Sequence, residues 1–137
     1  MSITLTPYLN FDGNCKEAME FYQSVFGGKL DISTFEKFHT DAPDDYKDKV
    51  MHAVLEADHL QLMASDGKPG EPTAVGDSIS LSLSGDDEET LSNYFNALAD
   101  GGKITMPLEK QVWGDRFGMV TDKFDINWMV NIAAPKA

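Results

Sequence analysis

Hydrophobic and polar residues follow two similar series along the chain, each with one amphipathic helix. Strict alternation predicts a strand over residues 3–11. A helix is predicted over residues 15–26, with Asn14 as its N-cap and Gly27-Gly28 at its end. Its apolar stripe, at helical spacing, comprises Ala18, Phe21, Tyr22, Val25 and Phe26. Further strands are predicted over residues 29–37, 50–56 and 60–65, with an exposed loop at 39–49.

The second series repeats this order after a stretch rich in glycine and proline. Its elements are predicted at 78–84 (strand), 86–100 (helix), 103–106 (strand) and 113–131 (a hairpin of two alternating strands). The pattern therefore predicts two βαβββ modules, at about 1–66 and 77–137, joined by a linker at about 67–76.

A residue-level repeat supports this division. The segment FYQSVFGGKL in the first module aligns with YFNALADGGKI in the second, with one inserted residue. Internal repetition of this kind indicates a duplicated structural unit. The expected fold is α+β, a single domain in which two tandem modules form a cupped mixed sheet around a central cleft.

The composition of the chain argues against several classes of binding partner and site. The chain has 137 residues and a formal net charge of −12, which argues against nucleic acid and anionic membranes because both need clustered Lys and Arg. A single cysteine, Cys15, excludes an intramolecular disulfide and a cysteine-rich zinc site. With neither a basic leader nor a long apolar run, a cytoplasmic protein is expected.

Three segments resemble a known family: TPYLNFDGNCKEAMEFYQSVFGG, VMHAVLEADHLQLMASD and WGDRFGMVTDKFDINWMVN. With the repeat, they resemble the PhnB-like branch of the glyoxalase/bleomycin resistance/extradiol dioxygenase (vicinal oxygen chelate) superfamily. The resemblance implies paired βαβββ modules and a homodimer. Some members carry a ubiquinone-pathway methyltransferase label, but here no glycine-rich turn follows a predicted strand, and the strand-helix order is not doubly wound.

Enzymes of the superfamily hold one divalent metal with a His or Glu from each of four strands. Carried across one at a time, these positions fall at Thr6, at Leu62 or Met63, at Ser78 and at Met129. None supplies the carboxylate or imidazole that such ions prefer. We therefore expect no metal and no cofactor. The alternative is a divalent-metal-dependent lyase or dioxygenase that uses His52 and Glu56, which share one face of a predicted strand.

The side chains predicted to line the cleft combine aromatic, amide and cationic groups: Tyr8, Asn10, His52, Met63, Trp113, Arg116 and Trp128. Arg116 offers a forked donor to a carboxylate or phosphate. Trp113, Phe117 and Trp128 can stack on a flat ligand, and core packing is their alternative role. For His52 the alternative is a hydrogen bond to backbone or to a tyrosine.

The single cysteine and the two remaining histidines are not predicted to belong to the cleft. Cys15, at a helix N-terminus, is either a reactive thiolate or a small buried residue, and the second is expected. His39 and His59 are predicted in exposed loops.

The predicted function is that of a metal-free small-molecule-binding protein of unassigned substrate. A third hypothesis is a structural or regulatory dimer without a ligand.

Overall fold

The structure of the protein, a computed structural model, describes residues 3–38, 46–67, 76 and 78–134. It divides into two compact units, Met1–Ala74 and Val75–Ala137. In the described part of the chain, no helix is both long and apolar enough to cross a membrane.

The first unit carries one four-stranded sheet. Its elements are β1 (Tyr8–Phe11), α1 (Cys15–Phe26), β2 (Lys29–Thr34), α2 (Phe35–Phe38), β3 (Val50–Glu56) and β4 (Gln61–Asp66). The strand order is β1-β4-β3-β2, with β1 parallel to β4 and the other pairs antiparallel. Helix α1 packs on β2, β3 and β4. The helix buries Cys15, Ala18, Met19, Tyr22 and Phe26.

The second unit has the same topology. Its elements are β5 (Leu81–Gly85), α3 (Glu88–Ala99), β6 (Lys103–Lys110), β7 (Arg116–Thr121) and β8 (Asn127–Ile132). The order β5-β8-β7-β6, with β5 parallel to β8, repeats that of the first sheet. Leu91, Phe95 and Leu98 form the buried face of α3. The predicted α+β fold of two tandem modules is confirmed.

Several predicted boundaries are wrong, each for a local reason. The first strand begins at Tyr8, and Ile3 and Leu5 are almost fully exposed. Strand β2 ends at Thr34, where its register against β3 shifts and α2 begins. Strand β5 begins at Leu81. Strand β6 continues to Lys110 because two register shifts keep it paired with β7. Residues 39–45, 68–75 and 77, from the predicted loop, linker and second module, lie outside the described residues.

The start of α1 also differs from the prediction. The Asn14 side chain makes no capping hydrogen bond. The buried carboxylate of Asp66, at the end of β4, accepts the N–H groups of Gly13 and Cys15 through Oδ1, at 2.8 and 2.9 Å. Its Oδ2 accepts the N–H of Val50 at 2.9 Å. One side chain therefore joins the start of α1 to β3 and β4.

Candidate functional site

Each sheet has one face covered by the long helix of its own unit and an opposite face, which we call the helix-distal face. Side chains alternate between the two faces along a strand. In the first sheet, Ala53, Leu55, Leu62 and Ala64 are buried toward α1. The residues between them along the strands therefore lie on the helix-distal face.

Four predicted cleft residues share the helix-distal face of the first sheet. Tyr8 lies opposite Met63, Asn10 lies two residues further along β1, and His52 lies two residues before Val54, the partner of Met63 in β3. The Tyr8 hydroxyl is 3.3 Å from Nδ1 of His52, and the two ring centroids are 5.9 Å apart. The structure thus brings Tyr8 and His52 into direct contact.

The metal-ligand hypothesis for His52 finds little support in this geometry. The contact with Tyr8 is the structural alternative that the sequence left open. Glu56 lies on the same face, but it is exposed at the far end of β3, opposite Lys29 and Gln61. The described residues contain no group of three or more His, Cys, Asp or Glu side chains able to hold a metal ion.

The four positions carried over from the metalloenzymes do not fit a divalent metal either. Leu62 is buried toward α1, and Ser78 is exposed ahead of β5. Met63 and Met129 lie on helix-distal faces but offer thioethers, which are poor ligands for hard or borderline ions.

The helix-distal face of the second sheet is built from alternate residues of its strands. Phe117 lies opposite Asn131, and Met119 lies opposite Met129. Trp113, in the turn before β7, is 59% exposed, and its ring meets that of Phe117 edge-on at 6.1 Å. Trp113 therefore lies beside this face rather than in the core.

Asp115 fixes one polar group of this face. Its Oδ1 accepts the N–H of Ala134 at 2.8 Å, and its Oδ2 accepts Nδ2 of Asn131 at 3.1 Å. The bond from Ala134, followed by that from Asn131, lowers the pKa of Asp115, with partial desolvation opposing. The ionised carboxylate therefore orients the Asn131 amide.

The structure places Arg116 and Trp128, both predicted to line the cleft, on the face toward the helix. Arg116 precedes Phe117 in β7 and so lies on the opposite face, where its guanidinium is 3.2 Å from a carboxylate oxygen of Glu88 in α3. Trp128 lies opposite Val120, is 1% exposed, and donates from Nε1 to Oδ2 of Asp122 at 2.9 Å. Alternation within β7 places Arg116 and Phe117 on opposite faces, whereas the pairing register of β7 with β8 decides the face of Trp128.

Sequence reasoning also missed residues that share these faces. Ser65 follows Met63 by two positions, and Ser82 and Ser84 lie opposite Met129 and Asn131. Residues two apart in a strand lie on one face, so the sequence places Ser65 on the same face as Met63.

Cys15 has the buried role expected for it. The side chain is fully buried, and burial, followed by the nearby charge of Asp66, raises the pKa of the thiol to about 12. His59 is exposed, as predicted, whereas His39 lies outside the described residues.

Native protein is expected to react with iodoacetamide about a thousandfold more slowly than urea-unfolded protein at about pH 8, because the attacking species is the thiolate. The raised pKa also means that the stabilisation from keeping this thiol neutral is complete below its ordinary value of 9.0 and is lost as the pH rises toward 12. Mass spectrometry of alkylated protein measures the rate. Equal rates in native and unfolded protein would contradict the burial of Cys15.

Comparisons with known proteins agree with this architecture. Residues 3–131 match the profile of the family described as 3-demethylubiquinone-9 3-methyltransferase. The chain is 32% identical to Protein YjdN of Escherichia coli (strain K12) over 140 residues, which cover 93% of this chain and 94% of that protein.

Solved structures show the same relationship. Protein PA1353 from Pseudomonas aeruginosa is 41% identical, with a TM-score of 0.85 over 98% of this chain and 100% of its own. A PhnB protein from Bacillus cereus is 27% identical, with a TM-score of 0.77 over 96% of this chain and 100% of its own. The fosfomycin resistance protein FosX from Mesorhizobium loti is 10% identical, covers 98% of this chain and 95% of its own with a TM-score of 0.62, and shares the fold alone. The chain therefore belongs to the PhnB-like family that the 3-demethylubiquinone-9 3-methyltransferase profile describes, on a glyoxalase-like fold.

Proposed function

We propose that the chain is a small-molecule-binding protein whose ligand contacts the helix-distal face of the first sheet without a metal ion. The observation that carries the proposal is the contrast between the two faces of the first sheet. The face toward α1 presents apolar residues, whereas Tyr8, Asn10 and His52 put a phenol, an amide and an imidazole on the other. Partly exposed polar and aromatic groups of this kind are typical of ligand sites.

The Tyr8–His52 contact gives this face a defined chemistry. A neutral imidazole donates a hydrogen bond through one ring nitrogen and accepts through the other. With Nδ1 beside the Tyr8 hydroxyl at 3.3 Å, we assign Nε2 to the ligand. Met63, directly opposite Tyr8, adds an adaptable apolar surface next to these polar groups.

Methyl transfer is not part of the proposal, although the family description names it. A dinucleotide-type or S-adenosylmethionine-type crevice is expected at the switch point of a doubly wound parallel sheet. Both sheets described here are mixed, and each has a single parallel pair. A homodimer and a cytoplasmic location stay predictions.

A screen of small aromatic and polar compounds, followed by calorimetry, tests the proposal. His52→Ala is expected to weaken a saturable ligand by about tenfold, the usual effect of removing one well-placed hydrogen-bonding group. His59→Ala is the matched control, since His59 is exposed in the turn between β3 and β4, and it should bind like the parent protein. Chelator-treated protein should also bind equally well.

Two results would overturn the proposal. One is a ligand that binds only after Zn²⁺, Mn²⁺ or Ni²⁺ is added, since a metal centre would then be required. The other is a screen in which no compound shows saturable binding that His52→Ala weakens.

A further inference from the structure

We infer that the helix-distal face of the second sheet also binds a ligand, an uncharged aromatic small molecule, an inference that goes beyond the proposed function. The face is centred on three methionines in three neighbouring strands, Met106 in β6, Met119 in β7 and Met129 in β8, which we call the methionine row.

The pairing register places the three methionines side by side. Met106 lies opposite Met119, and Met119 lies opposite Met129. Side chains paired in this way across adjacent strands lie on one face with Cβ atoms about 5 Å apart. Phe117, two residues before Met119, extends the apolar surface. Met106 is 39% exposed, and Met119 and Met129 are partly buried.

Thioethers suit an aromatic partner. Methionine is unbranched and polarizable, adapts its shape to a surface, and makes favourable contacts between sulfur and aromatic rings at about 5 Å. A row of three such side chains beside an aromatic ring offers a flat, adjustable platform. Packing against the helix does not explain the row, because these residues lie on the face away from α3.

The electrostatics of the face favour a neutral ligand. Among the described residues of β5, β7 and β8, the positions on this face are all uncharged: Ser82, Ser84, Phe117, Met119, Thr121, Asn127, Met129 and Asn131. The charged side chains on this face belong to β6, where Lys103 and Glu109 lie opposite Thr121 and Phe117 on either side of Met106. An ionised ligand that packs on the thioethers themselves loses hydration, which is costly.

The nearby ionised groups are placed outside the row or are already engaged. Lys103 and Glu109, of opposite sign, lie in β6 opposite Thr121 and Phe117. The Asp115 carboxylate accepts from Ala134 and Asn131. Arg116 pairs with Glu88 on the other face.

Neutral hydrogen-bonding groups flank the row. The hydroxyls of Ser82 and Ser84 are 3.4 Å apart on one side, and Asn131 is held by Asp115. On the other side Thr121 donates to Oδ1 of Asn127 at 2.7 Å. The arrangement suits a ring that carries hydroxyl or carbonyl groups at its edge.

Methionine methyl groups report the binding directly. Full-length protein labelled with carbon-13 at its methionine methyls is titrated with naphthylmethanol, naphthoate and naphthylmethylammonium, which share one ring and differ in charge. Single Met→Leu variants assign the signals. The neutral probe is expected to shift the signals of the methionine row and to bind about tenfold more tightly than either ion, since an ion loses hydration when it packs on the thioethers. The buried Met19 signal serves as an internal control.

A charge placed on the row gives a second test. Met106→Glu, at an exposed position that tolerates a polar side chain, is expected to weaken naphthylmethanol binding by about tenfold. Asn96→Glu adds the same charge at an exposed position of α3, away from the row, and should bind like the parent protein. Equal binding of the charged and neutral probes, or unchanged binding by Met106→Glu, overturns the inference. Shifts confined to Met63, on the first sheet, overturn it but leave the proposed function standing. If no probe shifts any signal and the broader screen also finds no ligand, both fail.

Discussion

Gly28→Ala is expected to lower the free energy of unfolding by about 3 kcal/mol or more, because the added methyl would overlap backbone atoms that have no room to move. A Cβ at Gly28 would lie well inside contact distance of the Glu56 carbonyl oxygen and 2.7 Å from Cα of Ala57. Gly28 also has a φ of +92°, which a side chain disfavours. Urea unfolding followed by far-ultraviolet circular dichroism measures the change.

Gly27→Ala measures the cost of the backbone conformation alone, without the steric overlap that an added methyl causes at Gly28. Gly27 has a comparable φ of +74°, but an added Cβ would meet nothing within 4 Å. We therefore expect Gly27→Ala to cost only the conformational strain, about 1–3 kcal/mol, and less than Gly28→Ala. Equal losses for the two variants would contradict the close approach to Glu56.

Gly102→Ala provides the same test in the second unit. Its added Cβ would overlap the Thr121 carbonyl oxygen and lie 2.9 Å from Cα of Asp122, and we expect a loss of about 3 kcal/mol. Gly85→Ala, which meets only a side-chain atom of Leu91 at 3.6 Å, should change stability by about 1 kcal/mol at most. Both tryptophans belong to this unit, so indole fluorescence follows its unfolding.

These glycines explain the repeat that the sequence revealed. Gly28 is followed by Lys29, which lies opposite Glu56, and Gly102 is followed by Lys103, which lies opposite Thr121. In both units the second glycine of the pair lets the strand after the helix pass close to the last residue of a neighbouring strand. The duplicated Gly-Gly-Lys therefore records a packing requirement that both modules share.

Local patterns predicted the two long helices and the two hairpins, β3–β4 and β7–β8, well, but not the short helix α2 or the parallel pairs. Helix α1 occupies the predicted residues 15–26, and its end at Gly27 was readable from the glycine pair. The spacing of apolar residues is a local property of the chain, so a single sequence is enough to predict these elements. The candidate cleft residues of the first module, Tyr8, Asn10, His52 and Met63, lie on one face of its sheet.

Features that depend on contacts between distant segments were not predicted. Phe117 and Trp128 were assigned to one wall, yet Trp128 pairs with Val120 and so lies on the opposite face from Phe117. The register between β7 and β8 is set by the turn around Asp122, whose Oδ1 accepts the N–H groups of Phe124 and Ile126. A one-residue difference in that register exchanges the faces.

Asp66→Asn is expected to lower the free energy of unfolding by about 3 kcal/mol, since it removes a charged acceptor from buried donors. Asp66 immediately precedes the predicted linker, yet its carboxylate is 3% exposed and accepts N–H groups from Gly13, Cys15 and Val50. An asparagine can present its oxygen to only one side of this site. Its NH₂ group must then point at a buried N–H, which leaves donors facing each other.

Asp122→Asn tests the same principle in the second unit, where Oδ2 accepts Nε1 of Trp128. We expect a loss of about 2–3 kcal/mol, together with a change in Trp128 fluorescence as the indole loses its acceptor. Asp58→Asn, at an exposed position in the turn between β3 and β4, is the matched control and should lie within about 0.5 kcal/mol of the parent. If Asp66→Asn and Asp122→Asn had the same free energy of unfolding as Asp58→Asn, the two buried carboxylates would not hold the turns to their strands. A loss of stability confined to Asp66→Asn and Asp122→Asn would show that each module depends on one buried carboxylate. The acidic composition of the chain alone would place such carboxylates on the solvated surface.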